Sequence, residues 1–174
     1  MTGNQKVQND LIQSIRDITE TIAQILVQQN STIMVAESAT GGLIQHFLTE
    51  IPGSSGFFLG GIVAYSDNLK QCLLQVPESV IQRHGAVSEE TVAAMANGIR
   101  LILRTDYGLA TSGIAGPTGA RPKKPVGLVH IAVSHRGFET IARKLVFKGT
   151  RTENKLHFCK AALQFLLEAI STEK

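Results

Sequence analysis

Apolar residues recur at helical spacing through Ile15, Ile18, Ile22, Ile25 and Leu26, which predicts an amphipathic helix over residues 8–29. The stretch from Ser31 to Glu37 reads as a buried strand. Leu43, Ile44, Phe47 and Leu48 return to helical spacing, so a helix is expected over 40–50, ending before the turn-rich Ile51-Pro52-Gly53-Ser54-Ser55-Gly56. Phe57 to Tyr65 is a second strand, in which Gly60-Gly61 predicts a bulge or a close approach. Ser66-Asp67-Asn68 supplies N-cap chemistry for a helix over 69–74, and Pro77 opens another short helix that ends near Gly85. Ser88-Glu89-Glu90 starts a helix carrying Val92, Met95, Ala96, Ile99 and Ile102. Tyr107 to Thr111 is a short strand, and 126–134 with 141–148 form a hairpin. Thr150 followed by Glu153 has the capping-box form, and Leu156, Cys159, Leu163, Leu166 and Ile170 stripe the last helix.

Helices and strands alternate early and an antiparallel pair comes late. That order predicts an α/β fold, a three-layer α/β/α sandwich with a mixed sheet. Residues 1–174 read as one domain, with an N-terminal helix at 8–29 and an α/β core at 31–172.

Composition narrows the function. The chain is 43% hydrophobic and 18% charged, as a globular α/β protein is. A formal charge of +3 permits an anionic small substrate and is too weak to argue for nucleic acid. No apolar run approaches the roughly 20 residues of a membrane span. The polar N-terminus lacks a signal core, so a cytoplasmic location is expected. Cys72 and Cys159 are far apart and read as buried or half-buried free thiols. The five histidines show no metal spacing, and neither a metal nor a cofactor is assigned.

The junction Val35-Ala36-Glu37-Ser38-Ala39-Thr40-Gly41-Gly42 passes from strand to helix through hydroxyls and glycines, a form that suits an anion at the helix N-terminus. Lys70 and Arg151 each fall in a first helical turn, where a cation opposes the dipole. Either both extend into water or an anion lies nearby. Ser55 sits in a Gly-Ser-Ser-Gly loop, where a nucleophile would need a base and oxyanion donors. Tyr65 ends a strand five residues before Lys70, whose ammonium would lower the phenol pKa, so a Ser–Tyr–Lys relay is chemically open. Arg121-Pro122-Lys123-Lys124 is a small basic loop that is either solvated or borders an anionic site.

In order along the chain stand Ala-Glu-Ser-Ala-Thr-Gly-Gly (36–42), Pro-Gly-Ser-Ser (52–55), Val-Ala-Tyr-Ser-Asp-Asn-Leu-Lys (63–70), His-Gly-Ala-Val-Ser (84–88), Thr-Ser-Gly-Ile-Ala-Gly-Pro (111–117), Lys-Pro-Val-Gly (124–127) and Gly-Thr-Arg (149–151). This set resembles the CinA C-terminal domain family, whose members include nicotinamide-nucleotide amidohydrolases. The resemblance implies an α/β sandwich and hydrolysis of nicotinamide mononucleotide to nicotinate mononucleotide and ammonia, in pyridine-nucleotide salvage. It implies Ser55 as nucleophile, Tyr65 as general base and Lys70 as its pKa-lowering neighbour. Ser38, Thr40, Gly41, Gly42, Ser112 and Gly113 would line the pocket, and Thr150 with Arg151 would hold the phosphate. A homo-oligomer is implied as well. Two departures stand out: Ala39 replaces the cysteine of many relatives, and Ala-Arg-Pro-Lys (120–123) replaces a Gly- and acid-bearing loop. Without the separate N-terminal domain of longer relatives, the chain reads as a stand-alone version. Two other readings stay open. One is a non-catalytic nucleotide-binding regulatory domain of the same fold. The other is a phosphotransferase, weakened by the missing Gly-x-x-x-x-Gly-Lys-[Ser/Thr] loop.

Overall fold

The computed structural model describes residues 3–172. In chain order the elements are α1 (Gly3–Gln28), β1 (Ile33–Glu37), α2 (Leu43–Thr49), β2 (Phe58–Val63), α3 (Asp67–Leu74), α4 (Glu78–His84), α5 (Glu89–Ile102), β3 (Tyr107–Gly113), β4 (Leu128–His135), β5 (Ile141–Val146) and α6 (Arg151–Ser171), with a single 3-10 turn at Ser54–Gly56. The five strands lie in the order β2-β1-β3-β4-β5. β2 and β3 run parallel to β1, while β4 and β5 close the sheet in antiparallel fashion. The mixed sheet carries helices on both faces, as the three-layer reading expects.

Every residue of β1 is buried, as befits the middle one of three parallel strands covered on both faces. Val35, Leu109, Val129, Ile131 and Val133 project to one face, against Ile15, Ile22 and Leu26 of α1, Phe47 of α2 and the stripe of α6. Met34, Ala36, Ala110 and Ala132 project to the other, against Met95, Ala96 and Ile99 of α5 and Leu74 of α3. Small residues on this second face let α5 lie close to the sheet.

The bulge expected at Gly60-Gly61 is present: register slips between Ile33, opposite Phe58, and Met34, opposite Gly60. Gly60 has φ +134°, and a Cβ on Gly61 would come within 2.5 Å of the Val35 carbonyl oxygen, so both positions require glycine. The capping box is also present, with Thr150 Oγ1 and Glu153 bonded reciprocally at the start of α6. α1 begins five residues before the predicted start, and its exposed Gln5–Val7 adds nothing to the apolar stripe. β3 runs on to Gly113, since Ser112 and Gly113 still pair with His130 and Val129.

One cysteine departs from expectation. Cys159 is fully buried and its thiol pKa is pushed well up by that burial, whereas Cys72 lies exposed on α3. Among the described residues, no helix is long and apolar enough to cross a membrane.

Candidate functional site

β2, β1 and β3 end side by side at one edge of the sheet, because all three run parallel. β1 leaves that edge for α2 on one face, and β2 leaves it for α3 and α5 on the other, so a crevice opens between their ends. Ser38 follows β1, Tyr65 follows β2, and Ser112-Gly113 ends β3. A cavity of about 190 Å³ lies there, lined by Ser38, Tyr65, Asp67, Lys70, Ser112 and Arg151 among others.

Each side chain is set by its local structure. Ser38 is pinned through its backbone N–H to the Thr111 carbonyl at 3.1 Å, which holds it against the end of β3. Ser66 caps α3 by accepting from Leu69 N–H at 3.2 Å, and the next residue, Lys70, turns inward with 1% of its surface exposed. Its Nζ donates to the Ala64 carbonyl at 3.1 Å and lies 3.6 Å from Asp67 Oδ1. Burial lowers the Lys70 pKa, and the Asp67 carboxylate opposes that shift. Tyr65 remains 63% exposed, and its hydroxyl accepts from Arg151 Nη2 at 3.3 Å. Arg151 Nη1 donates to the Gly116 carbonyl at 2.8 Å, and Asn154 Nδ2 donates to that of Ala115 at 3.0 Å. The first turn of α6 is thereby tied to the loop after β3. Ser112 Oγ donates to the Ala86 carbonyl at 2.7 Å, holding the α4–α5 connection over the crevice.

Of the residues singled out from sequence, Ser38, Tyr65, Lys70, Ser112, Gly113 and Arg151 meet in this cavity. Ser55 does not. It precedes β2, whereas Tyr65 and Lys70 follow it, so the strand separates them by about 20 Å at roughly 3.3 Å per residue. Within one chain Ser55 therefore stands at the opposite edge of the sheet from Lys70.

Thr40, Gly41 and Gly42 are also spent elsewhere. Thr40 is fully buried, its hydroxyl bonded to that of Thr111 at 2.9 Å. The N-terminus of α2, expected to receive an external anion, receives the chain's own Glu37. That buried carboxylate accepts from the N–H groups of Gly42, Ile44 and Gln45 at 2.8, 3.2 and 2.9 Å. Gly41 (φ +64°) and Gly42 (φ +96°) fold the junction back so that these N–H groups reach it. Thr150 spends its hydroxyl on Glu153 in the capping box.

Sequence reasoning passed over Asp67 and the Ala86-Val87 pair as site residues, and gave Ser38 only a lining role. Position relative to the strands separates these residues: Ser38 directly follows β1, Tyr65 lies two residues after β2 and Ser112 falls near the end of β3, whereas Ser55 precedes β2. Among the described residues, no group of three or more His, Cys, Asp and Glu converges to hold a metal ion.

Comparison with known proteins adds independent findings. The model of the CinA C-terminal domain matches residues 15–170. A CinA-like protein of Desulforapulum autotrophicum is 46% identical over 142 residues, covering 82% of this chain and 34% of the relative. The chain spans about a third of the length of such curated relatives. Among solved structures, the competence damage-inducible protein A (ComA) of Klebsiella pneumoniae superposes with a TM-score of 0.88 at 31% identity, covering 92% of this chain and 99% of the other. The competence/damage inducible protein CihA of Agrobacterium tumefaciens gives 0.88 at 35% identity, covering 91% and 96%.

Proposed function

The chain belongs to the CinA C-terminal domain family, and from that premise we propose that it is an amidohydrolase converting nicotinamide mononucleotide to nicotinate mononucleotide and ammonia, with Ser38 as nucleophile. The observation that carries this reading is the meeting of Ser38 with a buried, pKa-lowered lysine and a tyrosine in one cavity. Serine needs a base to attack an amide, and burial favours the neutral amine that can act as one.

In this mechanism Ser38 Oγ bonds to the carboxamide carbon while its proton passes to Lys70 Nζ. The carbonyl electrons move onto oxygen, giving an oxyanion. Its collapse breaks the C–N bond, and the leaving nitrogen takes up the proton and departs as ammonia. Water then cleaves the Ser38 ester, releasing the acid and restoring the hydroxyl. Tyr65, oriented by Arg151, stands where it can donate a hydrogen bond to the oxyanion or the leaving group.

The test is ammonia release from nicotinamide mononucleotide by wild type, Ser38→Ala and Ser55→Ala. Ser38→Ala is expected to cut kcat by at least about a thousandfold. Ser55→Ala, away from the cavity, is expected to stay within about twofold of wild type. The reverse ranking would return the nucleophile to Ser55 and require a second chain to complete the site. A nucleotide-binding regulatory domain is the competing reading. It is favoured by the bonds of Lys70 to Ala64 and Asp67, which serve a structural role equally well. Tight binding without ammonia would select it.

A further inference from the structure

The cavity at Ser38 is small. At about 190 Å³ it falls below the roughly 300–1,000 Å³ that ligand sites occupy. A second cavity of about 510 Å³ adjoins it, and Asp67, Ala86 and Val87 line both. Arg121 and Lys124 line the second. Together the two fall within the usual range.

The basic wall is built. Arg121 and Lys124 exchange reciprocal backbone hydrogen bonds, each 2.9 Å, so a tight turn holds both cations together. Lys124 Nζ donates to the His84 carbonyl at 2.8 Å, which fixes the ammonium at the end of α4 and leaves it two further N–H donors. Arg151 lines the smaller cavity and not the second, and donates to Gly116 and Tyr65 from its two terminal nitrogens. Between the two cavities stands the Asp67 carboxylate, an acceptor suited to a ribose diol.

We propose that the substrate lies across both cavities, with its carboxamide at Ser38, its ribose hydroxyls against Asp67 and its phosphate at Arg121 and Lys124. This rests on the amidohydrolase reading and moves the phosphate from Thr150 and Arg151, where the resemblance puts it, to the second cavity, which neither residue lines. Arg121, in the loop that departs from the family pattern, is then a specificity element for the phosphate beside Lys124 of the shared Lys-Pro-Val-Gly run.

The experiment compares nicotinamide mononucleotide with nicotinamide riboside, which lacks the phosphate, in wild type, Arg121→Ala and Arg121→Ala/Lys124→Ala. The readout is the ratio of kcat/KM for the two amides, which a folding defect common to both substrates does not move. The double variant is expected to lower that ratio at least about tenfold, as loss of charge-assisted phosphate contacts does. The single variant, at an exposed loop residue, should lower it by a smaller factor. An unchanged ratio in both variants overturns the proposal. If wild type releases no ammonia, the catalytic reading falls by itself, and calorimetry with the mononucleotide decides the placement. A Kd at least tenfold weaker in the double variant supports it. An equal Kd, or no binding by wild type, overturns it.

Discussion

Lys70 keeps 1% of its surface exposed, and burial lowers its pKa from the ordinary 10.5 while Asp67 pulls the other way. The folded chain therefore releases this proton at lower pH than the unfolded chain does. Between the two pKa values the unfolded state binds more protons, so stability rises with pH through that window and is flat below it. From pH 7 to 10 the urea midpoint of wild type should rise relative to that of Lys70→Met, a difference that cancels the opposite contribution of the raised Cys159 pKa, which both proteins share. Parallel curves for the two proteins would show that the amine does not titrate early. The thiols give a second check at this scale. A thiol reagent should modify one cysteine in the native protein, Cys72, and reach Cys159 only on unfolding, because Cys159 is buried with a raised pKa. Sequence could group Tyr65 with Lys70, since five residues across a capped turn bring them together. The resemblance put the nucleophile at Ser55, and which end of a parallel strand each serine occupies, hence that Ser38 and not Ser55 shares a cavity with Lys70, is visible only in the fold.

At the scale of elements, most boundaries were legible. Apolar runs, glycine pairs and hydroxyl caps mark them, as with Ser66 before α3, Ser88 before α5 and Thr150 before α6. The start of α2 was misread for a physical reason. Its glycines and hydroxyls suit an anion, but the anion is the acid that ends β1, and only the left-handed turn at Gly41-Gly42 brings Glu37 back to the helix. Glu37→Gln would replace one accepting oxygen with an amino group facing backbone donors. It should lower unfolding free energy by about 2–4 kcal/mol, with hydrogen bonds to a buried charge at stake. Urea denaturation measures this, and an unchanged midpoint would show that α2 is capped by other means.

At the scale of the molecule, the mixed sheet places three strand ends together and leaves the fourth and fifth strands to buttress them. That architecture was readable from the alternation of helices and strands and the late hairpin. The pairing of the two cavities was not, because it depends on the α4–α5 connection being drawn over β3 by Ser112.

The structure also says something about the order in which the chain is made. α1 packs against α6, and Arg151 at the head of α6 completes the wall around Tyr65. During synthesis α1 emerges from the ribosome before the other described elements, and α6 after them. The apolar face of α1, with Ile15, Ile22 and Leu26, must wait for its cover until α6 has been made. A nascent chain stalled before residue 151 would have its strands and Lys70 but neither that cover nor Arg151. The wall of the cavity around Tyr65 is thus completed only when the last described helix has formed.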